Sequence, residues 1–312
     1  MFLSSQIKSL LFVLLLMLCH VNSTYADAQL RLEQVTDNVY AIIGPLGNRS
    51  AENLGNNATF GFVVTSEGVV LIDSGGTYKG ATEIHALIKT ITDRPVKIVI
   101  NTGGQDHRWL GNGYFKQLGA RLIANSKAVA DQKARTRDQF FMMGNMVGDA
   151  NLKYTDAVYA EETFTDELKF TLGNTDFELH HAGPAHTPGD SFVWLPQQRL
   201  VFSGDIVYVQ RMIGINAESN SKSWINAFET MAALEPRIVV PGHGHVTTLI
   251  EATAHTYDYL VFLRQAVAEF MANGGGIENI GKLEQSQFSF LENYETLKGR
   301  NAQRVYEELE WE

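Results

Sequence analysis

The sequence is poor in cysteine, in proline and in positive charge, and each shortage excludes a class of protein. Its 312 residues include one cysteine, Cys19, so the chain can form neither an internal disulfide nor a zinc site built from several thiolates. With 7 prolines and a hydrophobic share of 45%, it is not a collagen-like, low-complexity or disordered chain. A formal net charge of −10 leaves no basic footprint for nucleic acid. What remains is a globular chain, long enough for one large domain or two ordinary ones.

The first 26 residues differ from the rest in their hydrophobic pattern. Lys8 is the only charged residue among them, and residues 10–18 form an apolar run, LLFVLLLML. A transmembrane helix needs about 20 apolar residues, whereas a positive start, a short apolar stretch and small residues near Ala26 are typical of a secretory signal. We therefore predict a signal peptide over residues 1–26, no membrane segment after its cleavage, and a periplasmic or secreted protein. A lipoprotein anchor at Cys19 is less favoured, because Leu18 is large where that signal has a small residue.

The remaining chain has two halves of similar style, each with β-rich runs first and helical patterns after them. In the first half we predict a hairpin over residues 60–72, a helix ending near Ile91 and a buried strand over residues 96–100. In the second half we predict hairpins over residues 167–179 and 191–203, a helix over 224–234, a strand over 238–240 and a long helix over 249–270. Two sheets packed face to face with helices outside would suit this order. We predict one layered α/β (α+β) domain, residues 27–312, with a C-terminal helical extension.

Side chains that commonly bind metals stand in loops that directly follow the predicted strands. These candidates are Asp106, His107, His186, Asp205 and His243. Loops held by a rigid sheet are where catalytic groups commonly lie. Three imidazoles and two carboxylates, without a thiolate, suit a borderline or hard divalent ion such as zinc, iron or manganese. We therefore predict a metal site at these loops, and we leave open whether the neighbouring Gln105 is a ligand or a bystander.

Four of these loops resemble the successive motifs of the metallo-β-lactamase-fold hydrolases. The matching segments are Asn101–His107, Ala185–Asp190, Ser203–Asp205 and Pro241–Gly244, and Gly68–Gly75 resembles the strand and turn near the start of that family. Order, spacing and flanking strands agree over roughly residues 35–250. The resemblance implies a four-layer αββα sandwich with a one- or two-metal site along one edge of its sheets. The predicted signal, the length and the segment Arg304–Glu312 also resemble the exported members that accompany bacterial quinoprotein systems.

The resemblance further implies how the candidate residues divide between two metal positions. Asp106, His107 and His243 would form the second position, Asp205 would be shared between both, and His186 would belong to the first. The family motif is usually His-x-His-x-Asp-His, whereas residues 102–107 read Thr-Gly-Gly-Gln-Asp-His and lack both leading histidines. A catalytic zinc needs about three protein ligands and one open position. The departure therefore favours one zinc ion, at the second position, over two.

Together these features predict an exported, zinc-dependent hydrolase that acts on an ester, thioester, lactone or lactam-like bond of a small molecule. A metal-activated water would attack the bond, and Asp106 or His186 would orient or deprotonate that water. Two alternatives stay open. One is a β-lactamase acting on β-lactam antibiotics, and the other is a non-catalytic protein of the same fold that binds a metal or a partner. The sequence does not predict the oligomeric state.

Overall fold

Two β-sheets form the centre of the molecule, which a computed structural model describes for residues 29–312. The predicted signal peptide and Cys19 lie outside this range. The first sheet contains seven strands in chain order: β1 (Arg31–Gln34), β2 (Val39–Ile43), β3 (Thr59–Thr65), β4 (Gly68–Ile72), β5 (Val96–Asn101), β6 (Arg121–Asn125) and β7 (Glu162–Phe164). The second sheet has the order β12-β11-β10-β9-β8, with β8 (Glu167–Leu172), β9 (Thr175–His180), β10 (Phe192–Leu195), β11 (Leu200–Phe202) and β12 (Ile238–Val240).

The strand sequences differ according to how many faces are covered. Strands β3 and β4 are buried along almost their whole length, which explains their nearly continuous apolar runs. Strands β8 and β9 instead alternate in burial, because the second face of each is only partly covered. All three predicted hairpins are confirmed: β3 pairs with β4, β8 with β9 and β10 with β11, each antiparallel.

Helices cover the outer faces of both sheets. They are α1 (Tyr78–Ile91), α2 (Asp106–Trp109), α3 (Asn112–Gln117), α4 (Ser126–Val147), α5 (Asp149–Leu152), α6 (Ser221–Ala232), α7 (Leu249–Ala252), α8 (Asp258–Ala272) and α9 (Tyr294–Leu309). Side chains of α1, α3 and α4 pack on the first sheet, and those of α6, α8 and α9 pack on the second. A third apolar core lies between the sheets. The predicted four-layer αββα sandwich is thereby confirmed.

The long helix predicted over residues 249–270 is interrupted. A π-helical segment, Thr253–Tyr257, separates α7 from α8. Within it, the Thr256 hydroxyl donates to the Tyr208 carbonyl at 2.6 Å and accepts from the Tyr208 amide at 2.9 Å. The wider turn therefore places a side chain that fixes the backbone of Tyr208, in agreement with the frequent occurrence of such segments near functional sites. Apolar periodicity alone did not reveal this interruption.

The predicted polar helical tail is α9, and it reaches back to a loop of the second sheet. Asn301 accepts a hydrogen bond from the Ile215 amide at 2.9 Å and donates one to the Ile213 carbonyl at 2.8 Å. Arg304 donates to the Asn216 carbonyl at 3.2 Å. Helix α9 thus fixes the loop of residues 213–217. Over residues 29–312, no helix has both the length and the apolar character needed to cross a bilayer.

Candidate metal centre

The loops that follow β5, β11 and β12 meet at one edge of the sandwich. The loop after β11 contains Gly204, whose φ of +52° lies in the left-handed region that favours glycine. The loop after β12 contains Gly242, where a Cβ atom would lie 2.3 Å from the Gly204 carbonyl oxygen. The two loops can touch there because Gly242 lacks a side chain. Their contact places the side chains of Asp205 and His243 beside His107, at the start of the short helix α2.

Three ligand-type side chains form a compact, buried cluster at this edge. The Asp205 carboxylate lies between two imidazoles, with Oδ2 3.3 Å from His107 Nε2 and Oδ1 3.4 Å from His243 Nε2. One ligand atom from each residue lies within 4.8 Å of the other two, and the His107 Nε2 atom is buried without a hydrogen-bond partner. Two imidazoles and a carboxylate are a known donor set of catalytic zinc sites. The donor chemistry and the orphaned nitrogen therefore fit a divalent metal.

His243 is oriented for such a role by the backbone. Its Nδ1 atom lies 2.9 Å from the Asn57 carbonyl, which can only accept, so Nδ1 carries the proton and the Nε2 lone pair faces Asp205. Metal-binding histidines are commonly oriented in this way. Tyr208 stacks on the same ring, with centroids 4.4 Å apart. Burial and the nearby Asp205 carboxylate raise the pKa of the Tyr208 phenol well above its usual value, so it remains neutral.

The buried Arg108 holds Asp205 from the side opposite the imidazoles. Its Nη2 and Nε atoms donate to the Asp205 carboxylate at 2.6 and 3.2 Å, and its Nη1 donates to Asp73 at 2.9 Å. Burial alone would raise the pKa of Asp205, but Arg108 and then His107 hold it well below its usual value. Burial dominates at Asp73 and raises the pKa of that carboxyl despite Arg108. The arginine thus keeps Asp205 ionised and aimed at the cluster, a role that the sequence analysis did not identify.

Asp106 turns away from the cluster, toward Arg49. Its Oδ1 atom lies 2.5 Å from Arg49 Nη2, and it also accepts from the His107 amide at 2.7 Å. Burial opposes ionisation of Asp106, but Arg49 and His107 outweigh it and lower the pKa of the carboxyl. The same Arg49 nitrogen lies 2.6 Å from His107 Nδ1. The prediction that Asp106 is a metal ligand stays a prediction, because its carboxylate is paired with a side chain.

The loop that lacks the two histidines is packed tightly against acidic side chains. A Cβ atom at Gly104 would lie 2.0 Å from Asp131 Oδ2, and one at Gly103 would lie 2.4 Å from Asp190 Oδ1. Asp131 is itself held by both Arg135 nitrogens that face it. Burial, with the Asp205 charge second, raises the pKa of Asp190 to about 8. The space beside this loop is therefore filled.

His186 is the predicted ligand of the first metal position, and it lies apart from the three-residue cluster. Its Nδ1 atom lies 2.9 Å from the Gly214 carbonyl, and its Nε2 atom lies 3.4 Å from Asn216 Nδ2. Burial lowers the pKa of His186 to about 4 although Asp205 opposes this, so the imidazole is neutral at pH 7. The Gln105 side-chain oxygen is buried nearby without a hydrogen-bond partner, so its role stays open.

A cleft of about 450 Å³ opens onto the cluster and is rich in arginine. The charged residues that line it, apart from Asp106, are Arg49, Arg135, Asp138, Arg211, Glu218 and Arg300. Arg211 donates to the carbonyls of Leu46 and Gly47, both at 2.7 Å, while its buried Nε atom has no partner. Burial lowers the pKa of Arg211. Neither Arg49 nor Arg211 belongs to a recognisable motif, so the sequence analysis missed both.

The chain is similar to known proteins over the region that carries this site. Residues 55–243 match the sequence profile of the Metallo-beta-lactamase superfamily. A metallo-beta-lactamase type 2 from Bacillus sp. (strain 170) is 28% identical over 220 residues, which cover 69% of this chain and 76% of that protein. A protein of the same name from Elizabethkingia meningoseptica is 24% identical, over 69% of this chain and 79% of its own.

Solved structures share the fold at lower sequence identity. A metallo-beta-lactamase from Pontibacter korlensis superposes with a TM-score of 0.60 at 22% identity, covering 75% of this chain and 99% of that one. The DIM-1 metallo-beta-lactamase superposes with a TM-score of 0.58 at 17% identity. These likenesses agree with the layered sheets and the strand-end loops described above. The superfamily profile matches more than half of the residues of this chain, and the chain therefore belongs to the metallo-beta-lactamase superfamily of hydrolases.

Proposed function

We propose that the protein is a zinc-dependent hydrolase with one metal ion, acting on an ester, thioester, lactone or lactam-like bond. The observation that carries the proposal is the buried His107, Asp205 and His243 cluster at the base of the cleft. These three residues would hold the ion and leave its fourth position toward the cleft. When bound, zinc supplies a water of lowered pKa and a Lewis acid for the substrate carbonyl. Iron or manganese would suit the same donors less well than zinc, since both prefer more ligands.

The residues around the cluster have separate tasks in this proposal. Arg108 keeps Asp205 ionised, and the Asn57 carbonyl keeps the His243 Nε2 lone pair directed inward. His186 lines the cleft as a neutral imidazole. Its Nδ1 atom donates a hydrogen bond to the Gly214 carbonyl, which leaves the lone pair on Nε2. The Nε2 atom would therefore accept a proton from the attacking water. His186 is therefore the better supported of the two predicted catalytic residues. Asp106, the other one, is engaged by Arg49.

The arginines of the cleft support a substrate with an anionic group. Among the ion pairs formed by residues 29–312, none includes Arg211, although this side chain is only 9% exposed. A buried guanidinium without a carboxylate partner is costly, and an anionic group of a ligand would supply that partner. We therefore place the anionic end of the substrate at Arg211 and the scissile bond over the cluster.

Export is also part of the proposal. It is supported by the charged start, short apolar run and small-residue exit of residues 1–26. Fractionation of cells that express the full chain, with mass measurement of the product, tests it. We expect a product that begins near Asp27 in the periplasm or the medium. A product that keeps residues 1–26 in the cytoplasm would contradict export.

The experiment for the activity uses residues 27–312 loaded with zinc and a panel of ester, thioester, lactone and chromogenic β-lactam substrates. We expect hydrolysis of at least one class, which His243→Ala abolishes. The matched control is His245→Ala, because His245 lies two residues away, pairs with Glu251 and is outside the cluster. Turnover that survives His243→Ala would refute the mechanism. Zinc binding without turnover of any class would favour the non-catalytic alternative.

A further inference from the structure

A guanidinium lies between two residues of the predicted metal centre. One nitrogen of Arg49, Nη2, is 2.5 Å from Asp106 Oδ1 and 2.6 Å from His107 Nδ1. The Arg49 side chain is 14% exposed, that of Asp106 is 1% exposed, and that of His107 is 2% exposed. Arg49 therefore places a positive charge against Asp106 and His107, whose carboxylate and ring lone pair would otherwise be available to a metal ion.

The contact decides which nitrogen of His107 carries the proton. Two atoms face His107 Nδ1: Arg49 Nη2 at 2.6 Å, which can only donate, and Asp106 Oδ1 at 3.3 Å, which can only accept. The shorter contact, with the guanidinium, requires Nδ1 to accept. In the neutral imidazole the proton then resides on Nε2, the atom that faces Asp205 at 3.3 Å. A protonated nitrogen has no lone pair for a metal. Metal binding through His107 Nε2 and the contact between Arg49 and His107 Nδ1 therefore exclude each other for a neutral ring.

Arg49 is held through a single side-chain nitrogen. It lies in the irregular segment between β2 and β3, and its contacts with Asp106 and His107 both use Nη2. Its Nε atom is buried without a hydrogen-bond partner. The segment itself is anchored elsewhere, since Asn57 Nδ2 donates to the Gly47 carbonyl at 3.0 Å and Asn53 Oδ1 accepts from the Ser50 amide at 2.9 Å. The side chain can thus swing into the cleft while the backbone stays in place.

We propose that Arg49 is a positioning residue that competes with the metal ion for Asp106 and His107. In the metal-free protein it neutralises Asp106 and holds His107 in the tautomer that cannot bind a metal. On metal binding Arg49 would withdraw into the cleft, solvent would take the proton from His107 Nε2 and supply one to Nδ1, and the Asp106 carboxylate would be released. The proposal rests on the proposed metal centre but not on hydrolysis. It makes the affinity for metal lower than the ligands alone would give.

Zinc titration of metal-free protein in competition with a chromogenic chelator tests this. Arg49→Met removes the donors and keeps the apolar stem, and we expect it to tighten the Kd for zinc by about tenfold to 100-fold. The matched control is Arg211→Met, which removes the same charge from the same cleft without touching Asp106 or His107. Equal effects of the two substitutions, or none from Arg49→Met, would overturn the proposal. Circular dichroism shows whether each variant folds, and Arg49→Lys is expected to give an intermediate Kd.

A second measurement needs no substitution. Long-range proton–nitrogen NMR of histidine-labelled, metal-free wild-type protein reports which imidazole nitrogen of each ring is protonated. We expect the proton of His107 on Nε2 and that of His243 on Nδ1. A proton on His107 Nδ1 would overturn the proposal even if zinc binds tightly. If zinc binds to neither wild type nor variants, the proposed metal centre fails, and the His107 tautomer still tests the contact with Arg49.

Discussion

The two metal positions implied by the sequence differ in how their surroundings are built. At the second position, His107, Asp205 and His243 face one another around an orphaned nitrogen. At the first position, His186 lies apart, and the glycine loop opposite it is packed on Asp131 and Asp190. Side chains therefore fill the space beside the loop that lacks the two histidines, and no void remains there. At the second position, Arg108 also supports the Asp205 carboxylate.

The largest effect is expected from Asp205→Ala, because Asp205 lies between the two imidazoles of the proposed second metal position. It removes a ligand and leaves Arg108 buried with half of its charge unpaired, so we expect the free energy of unfolding to fall by about 3–5 kcal/mol and zinc binding to be lost. Chemical denaturation and elemental analysis measure both. Asp138→Ala is the control, since that carboxylate lines the same cleft but is exposed. A loss of zinc without a loss of stability would separate the two roles.

Removing one histidine from each proposed metal position tests whether only the second position binds an ion. His243→Ala is expected to reduce zinc from about one ion per chain to none. His186→Ala is expected to keep the ion and to lower kcat by about 100-fold or more, as for a general base. Elemental analysis and steady-state kinetics of the purified variants decide this. Two ions in the wild type, or loss of zinc from His186→Ala, would show that the first position is functional.

The filled space beside the glycine loop predicts that a histidine cannot simply be restored. Gly104→His would press its Cβ against Asp131, which Arg135 holds in place, so we expect a cost of about 1–3 kcal/mol and no second ion. Thermal unfolding and zinc stoichiometry measure the two outcomes. The control is Gly281→His, at an exposed glycine with open space around its Cβ position and no left-handed φ. A stable variant with two bound ions would mean that the loop adapts.

The smallest effect is expected at Arg211, where a substitution tests substrate recognition rather than metal binding. Arg211→Gln removes the proposed partner of the anionic group, and we expect kcat/KM for an anionic substrate to fall about tenfold while that for its neutral analogue changes little. Zinc content should be unchanged. Equal losses for both substrates would indicate a structural role instead.

Local patterns predicted much of the frame and the loops that carry the cluster. The β3–β4 hairpin, strand β12 and helix α6 follow from apolar periodicity and turn residues. The motif resemblance singled out His107, Asp205 and His243, which the fold brings into one cluster. The π-helical segment was not predictable in this way, because it depends on the contact between Thr256 and Tyr208 across 48 residues.

The arginines of the site escaped prediction for a related reason. Arg108 meets Asp205 across 97 positions of the sequence, and Arg49 meets His107 across 58. No periodicity encodes such pairings, since only the closed sandwich brings the partners together. Arg108 directly follows His107 in helix α2, but its sequence neighbours do not indicate that Asp73 and Asp205 face it. Arg49 and Arg211 carry no such indication either.

The hydrogen bonds from helix α9 to the loop of residues 213–217 have a consequence for a shortened chain. All twelve strands precede residue 241, and the last residue of the cluster is His243. The loop beside His186 depends on residues much later in the sequence, since Asn301 and Arg304 bind its backbone. A chain that ends before Asn301 would keep all three residues of the proposed metal centre and lose the support of the loop that contacts His186. The proposed metal binding and the proposed role of His186 are therefore separable by truncation.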